Sequence, residues 1–162
     1  MTEVQENIKA SAKVEIPSAK LKDIHITDYI RESLDKVAKA EGFTNYELLV
    51  DHGSSIGDGF VGIMIKVKIQ EINSNKFLHV LAKVPPESKT TREFMKLMAF
   101  FEREVYIYNN FLPLIIDFQN EMTIKWTEGF FNFPKVFYAD YDKEKDDAII
   151  IMEDLRNFGY KM

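Results

Sequence analysis

Apolar residues recur along this chain with two different periods. Val61, Ile63, Ile65, Val67 and Ile69 alternate with Gly62, Met64, Lys66, Lys68 and Gln70, the period-2 signature of a half-buried strand ending near Gln70. Asn73-Ser74-Asn75 is turn chemistry, Phe77–Val84 is the return strand, and Pro85-Pro86 stops it because proline offers no ladder donor. Tyr46–His52 predicts a short strand ahead of a glycine-rich turn. Elsewhere the period is helical. Tyr29, Ile30, Leu34, Val37 and Ala38 form one face of a helix that starts at Thr27-Asp28 and is ended by Gly42. Phe94, Leu97, Met98, Phe101, Val105, Tyr108 and Leu112 form the stripe of a long helix capped by Thr90 or Thr91, reaching to about Phe111, with Pro113 beyond its end. Met122–Trp126 reads as a short strand. Phe133–Ala139 and Ala148–Met152 read as strands flanking the charged turn Asp140–Asp147. Helix, three strands, helix, then two or three strands is an α+β order. It predicts a five-stranded antiparallel sheet with one long packed helix and an N-terminal helix.

Composition narrows this. The 162 residues suffice for one core, and the net charge of −5 argues against a nucleic-acid binder. The absence of cysteine rules out a disulfide framework or thiolate zinc site and fits the reducing cytoplasm. No apolar run reaches the roughly 18 residues of a membrane helix; the richest stretch, Phe94–Phe118, is interrupted by Lys96, Glu102, Arg103 and Glu104. Residues 1–22 are polar and without period, which predicts a mobile lead-in to one domain over 23–162.

Three segments carry candidate chemistry. Gly57, Gly59 and Gly62 satisfy G-x-G-x-x-G, but a dinucleotide fingerprint opens a helix, and here a strand follows. A glycine-rich turn feeding a strand, with a lysine one hairpin later, is instead the arrangement that protein-kinase-like folds use around ATP phosphates. That lysine is Lys83, on one strand face with Phe77, His79 and Leu81. Two readings stay open for it: an amine that reaches water, or one that is held by a carboxylate and faces phosphates. Glu104 falls on the helix stripe three residues after Phe101 and four before Tyr108, where it is either the partner of that amine or a stripe-edge carboxylate reaching solvent; Glu102 and Arg103 project elsewhere. The third segment, Ile149–Leu155, is a buried strand that abruptly turns acidic. Its end is either a solvated Glu-Asp turn or a hinge presenting backbone groups to a base. His25, His52 and His79 are scattered without metal-ligand spacing. The thirteen phenylalanines also admit a protein that binds an apolar ligand between helix and sheet, although aromatics at helical spacing are usually core.

These residues resemble the CHK-kinase-like, or ecdysteroid-kinase-like, family of the choline-kinase and aminoglycoside-phosphotransferase group. The resemblance runs from about Ile24 to Tyr160. Its most specific part is Phe101-Glu102-Arg103-Glu104-Val105-Tyr106-Ile107-Tyr108-Asn109-Asn110-Phe111-Leu112-Pro113, similar to the family's F-x-x-E-x-x-x-Y-x-x-x-L-P helix. Gly57-Asp58-Gly59-Phe60 resembles its G-D-N-F turn, with Gly59 where Asn is common. Phe133–Tyr138 resembles its P-x-x-Y strand, and Met152-Glu153-Asp154-Leu155 its E-D-L hinge. The resemblance implies a protein-kinase-like small lobe that binds ATP: Gly57, Asp58, Gly59 and Phe60 over the phosphates, Lys83 on the phosphates, Glu104 holding Lys83, Met152 behind the base, and the Glu153 and Leu155 backbone on adenine. It implies an intact enzyme that transfers phosphate to a hydroxyl of an ecdysteroid- or choline-like molecule with Mg2+. The family's catalytic His-x-Asp loop and metal-binding Asp-Phe-Gln come after the hinge, so no catalytic residue or metal ligand is expected before Met162, and the 162 residues alone are expected to show no turnover. Ile116-Asp117-Phe118-Gln119 spells the metal motif but sits too early, where the helix is expected to run into the next strand. The alternative is a non-catalytic binding module that self-associates through an exposed hinge face.

Overall fold

The computed structural model describes residues 24–53, 62–97 and 99–160. The expected lead-in 1–22 and the Gly57–Phe60 turn lie outside the described residues. Thr27 opens helix α1 (Asp28–Ala40), its Oγ1 accepting the Ile30 N–H at 3.3 Å. Gly42, at φ +74°, ends it and lets the Phe43 N–H return to the Ala38 carbonyl at 2.9 Å. Lys76 Nζ donates to the freed carbonyls of Glu41 and Gly42 at 2.9 and 2.7 Å, placing a cation at the negative end of the helix.

Strands β1 (Tyr46–His52), β2 (Ile63–Glu71), β3 (Phe77–Val84), β4 (Val136–Asp142) and β5 (Asp147–Glu153) form one antiparallel sheet in the order β1-β2-β3-β5-β4. Strand β5 lies inside the sheet with both faces covered, so Ile149, Ile150 and Ile151 are all fully buried. Alternation divides the core in two. On one face Leu48, Val50, Ile65, Val67, Ile69, Val80, Ala82, Ile149 and Ile151 pack with Ile30, Leu34 and Val37 of α1. On the other, Ala139, Ala148 and Ile150 pack with Met95 and Phe101. Tyr29 Oη donates to Asp140 Oδ2 at 2.9 Å, fastening α1 to β4; burial, then that hydrogen bond, pushes the phenol's pKa well up.

The helical half departs from expectation. In place of one helix from Thr90 to Phe111 there are α2 (Lys89–Leu97) and α3 (Phe100–Tyr106), separated at Ala99, whose backbone is left-handed at φ +51°. That break resets the helical phase. Met95 is the buried anchor of α2, whereas Phe94 is 46% exposed. Nor does the helix end before Pro113. A π turn (Ile107–Phe111) follows α3 and leads directly into α4 (Leu112–Glu121). Proline within a helix clashes with the carbonyl four residues back and offers it no donor. The wide turn, with the Leu112 N–H bonded to the Ile107 carbonyl, accommodates Pro113 in the first turn of α4. Ile107, Phe111, Leu114, Phe118 and Met122 make an exposed apolar stripe along this stretch. The strand expected at Met122–Trp126 is absent: the chain turns through Thr123, and the Ile124 N–H goes back to the Gln119 carbonyl at 2.9 Å. Strand β4 starts at Val136, later than expected, with a bulge between Val136 and Tyr138.

Candidate nucleotide site

Lys83 stands near the end of β3, opposite Ile150 of β5 and Met64 of β2. Its stem lies against Gly62. A Cβ there would be 3.3 Å from Lys83 Cε and 3.0 Å from the Val84 carbonyl oxygen, so glycine at the start of β2 leaves room for the amine to cross the sheet. Helix α3 supplies the partner. Phe101 anchors that helix in the smaller core cluster, and Glu104, one turn on, reaches the sheet. Lys83 Nζ donates to Glu104 Oε2 at 2.7 Å and Oε1 at 2.9 Å. The side chains are 21% and 25% exposed, so the pair adds little to stability; what it fixes is where the ammonium points. The Phe101 ring centroid lies 5.8 Å from Nζ. Glu102 and Arg103 are exposed.

Strand β5 leads to the second element of the site. Met152 pairs with Leu81 of β3 and packs on the smaller core cluster. The Glu153 N–H is spent on the Lys135 carbonyl at 2.8 Å, so the expectation that Glu153 offers its backbone to a base is reduced to its carbonyl. Among the described residues the Leu155 N–H has no hydrogen-bond partner, which leaves a donor where one was expected. The Gly57, Asp58, Gly59 and Phe60 turn lies outside the described residues, but both its flanks are placed: the Gly53 N–H bonds the Met64 carbonyl at 2.8 Å, and Gly62 leads into β2.

Sequence reasoning took Asp154 only as a member of the hinge motif or of a solvated turn, and passed over Arg156. Asp154 is 1% exposed. Its Oδ1 accepts from Arg156 Nε at 2.7 Å and from the Arg156 backbone N–H at 3.2 Å, and its Oδ2 from Arg156 Nη2 at 2.8 Å. The Arg156 bond, helped by Lys66, holds the carboxyl below the usual range against the opposing effect of burial. The third guanidinium nitrogen, Nη1, donates to the Gly53 carbonyl at 2.6 Å. The available signal was a carboxylate and an arginine two residues apart directly after a buried strand.

The other candidates fall away. Asp117 and Phe118 are exposed on α4, and Gln119, buried, exchanges hydrogen bonds with the Phe130 backbone. The Ile116–Gln119 stretch is therefore interior helix, not a helix end running into a strand. His79 is half-buried with Nδ1 unbonded, and burial lowers its pKa. Among the described residues no group of three or more His, Cys, Asp or Glu could hold a metal ion, and no helix is long and apolar enough to cross a membrane.

The model of the ecdysteroid kinase-like family matches residues 56–162, about two thirds of the chain. This chain belongs to that family. The matched region of this ecdysteroid kinase-like protein takes in the glycine turn, Lys83, Glu104 and the Met152–Leu155 segment. It begins after α1 and β1. No curated protein and no solved structure matches the chain.

Proposed function

We propose that this kinase-like protein binds ATP through the face of the sheet that carries Lys83, as the nucleotide-binding lobe of an enzyme phosphorylating a small hydroxylated molecule, ecdysteroid- or choline-like. The observation that carries the reading is the bidentate Lys83–Glu104 pair, 2.7 and 2.9 Å, standing between the start of β2 and the hinge. An ammonium with both carboxylate oxygens on one side has one donor left for an anion on the other. Gly62 supports the fit, since a side chain there would occupy the lysine's path. The Leu155 N–H and Glu153 carbonyl would take the edge of adenine, with Leu81 and Met152 against its ring. The chemistry would be transfer of the γ-phosphoryl group: a bond forms from the acceptor hydroxyl oxygen to phosphorus, the bond to the ADP oxygen breaks, and the hydroxyl proton passes to a base. These residues position and neutralise; none of them is placed to be that base. The described residues do not fit a metal site, so Mg2+ would arrive on the nucleotide and be ligated by phosphate. The cysteine-free composition suits a cytoplasmic setting.

Calorimetric titration of the full chain with Mg-ATP tests the reading. The wild-type chain should bind, and Lys83→Ala should weaken binding by roughly tenfold or more, the size of a lost charge-assisted contact. Circular dichroism should show the variant folded, because the pair is partly solvated. Equal binding by the two proteins, or none by the wild type, would defeat it.

A further inference from the structure

We propose that Asp154 and Arg156 form a clamp that fixes the hinge against the end of β1 at Gly53 and, through β2, against Lys83, and with it the distance between the two ends of a bound nucleotide. This rests on the nucleotide reading above. An aspartate as buried as Asp154 needs partners, and Arg156, two residues on, satisfies it within the hinge loop itself. If satisfying Asp154 were its whole purpose, the guanidinium could stop there. Instead Nη1 reaches the carbonyl of Gly53, 103 residues away in the chain, at 2.6 Å.

Gly53 is a fixed point. Its N–H is bonded to the Met64 carbonyl, and a Cβ would sit 2.8 Å from the Met64 backbone, so the residue is pressed onto β2. Met64 in turn pairs with Lys83 of β3. Because a guanidinium is planar and rigid, its bonds to Asp154 and Gly53 share one plane, and fixing the first pair fixes the third. Lysine cannot reproduce this: it keeps the charge but offers a single nitrogen. The clamp therefore ties the segment expected to hold adenine to the strand pair that borders Lys83. Arg156 is a positioning residue, acting through Gly53 and the hinge.

A device that sets a span has a specific signature. Either half of the ligand binds equally well with or without it, and only the joined molecule feels the misplacement, because its two halves no longer engage together. The test titrates the full chain with ATP, adenosine and inorganic tripolyphosphate, for wild type, Arg156→Lys and the neutral pair Asp154→Asn/Arg156→Gln. The double variant leaves no unpaired buried charge and covers the case in which Arg156→Lys fails to fold. Amide exchange at Gly53 is followed in parallel. The expected result is ATP binding weakened about tenfold with adenosine and tripolyphosphate each within about twofold, and faster exchange at Gly53. Unchanged ATP affinity, or fragments that weaken together with ATP as general loosening would make them, overturns the clamp. Wild-type chain that binds none of the three ligands overturns the nucleotide reading instead; the tie between hinge and Gly53 then stands or falls on the exchange rate alone.

Discussion

His79 shows how a single side chain can make this sheet pH-sensitive. It sits on β3 beside Phe77, with ring centroids 5.2 Å apart, and its Nδ1 is buried without a partner. Burial depresses its pKa; Lys66 and Lys68 of β2 push the same way, and Asp154 of the hinge opposes them. The folded state therefore prefers the neutral ring more than the unfolded chain does. Between the ordinary histidine value of about 6.5 and the lower folded value, the unfolded state binds more protons, so stability falls as pH falls through that window. Thermal melts of His79→Leu should lose this part of the pH dependence below about pH 6.5 while keeping the acid limb due to carboxylates. Melting curves of wild type and variant that stay parallel across that window would rule out the assignment.

The two helical layers hold the sheet unequally, and adjacent isoleucines report on each. Ile149 points toward α1 and the larger cluster; Ile150 points toward α3 and lies opposite Lys83. Truncating either to alanine should cost about 2–5 kcal/mol in denaturant unfolding. Only Ile150→Ala should also weaken ATP binding, because it removes the floor beneath the helix that carries Glu104. Much of this arrangement is legible in the amino-acid order. Thr27 and Gly42 bracket α1, and β1 and β3 fall on Tyr46–His52 and Phe77–Val84, because caps, prolines and strict alternation are local signals. Lys83 and Glu104 were brought to one place by two periodicities, 2 and 3.6, each readable alone. The break at Ala99 was not legible, since alanine is the strongest helix former and nothing nearby marks a stop. Nor was the passage of Pro113 through a continuous helix, which depends on a π turn whose Asn109 side chain is held at 2.9 Å by the Ala139 carbonyl of β4. The Arg156–Gly53 bond escaped for the same reason: it exists only once the sheet has closed.

For the molecule as a whole, the consequence of α1 lying on the sheet is a warning about where the protein can be cut. The stretch resembling other ecdysteroid kinase-like proteins starts at residue 56, after α1 and β1 have already been laid down. Yet Leu34, Val37, Leu48 and Val50 are core partners of Ile65, Val67, Ile149 and Ile151. A piece made to the edges of the recognised region would expose one whole sheet face to water and leave β2 as an unpaired edge, the two conditions that favour clumping over folding. Expressed as residues 56–162, the protein should lack a cooperative melt and elute as aggregate on size-exclusion chromatography, whereas the full chain should melt in one transition. A sharp melt from the short piece would show that the first two elements are dispensable. What family likeness marks out and what can stand on its own are here two different lengths of polypeptide.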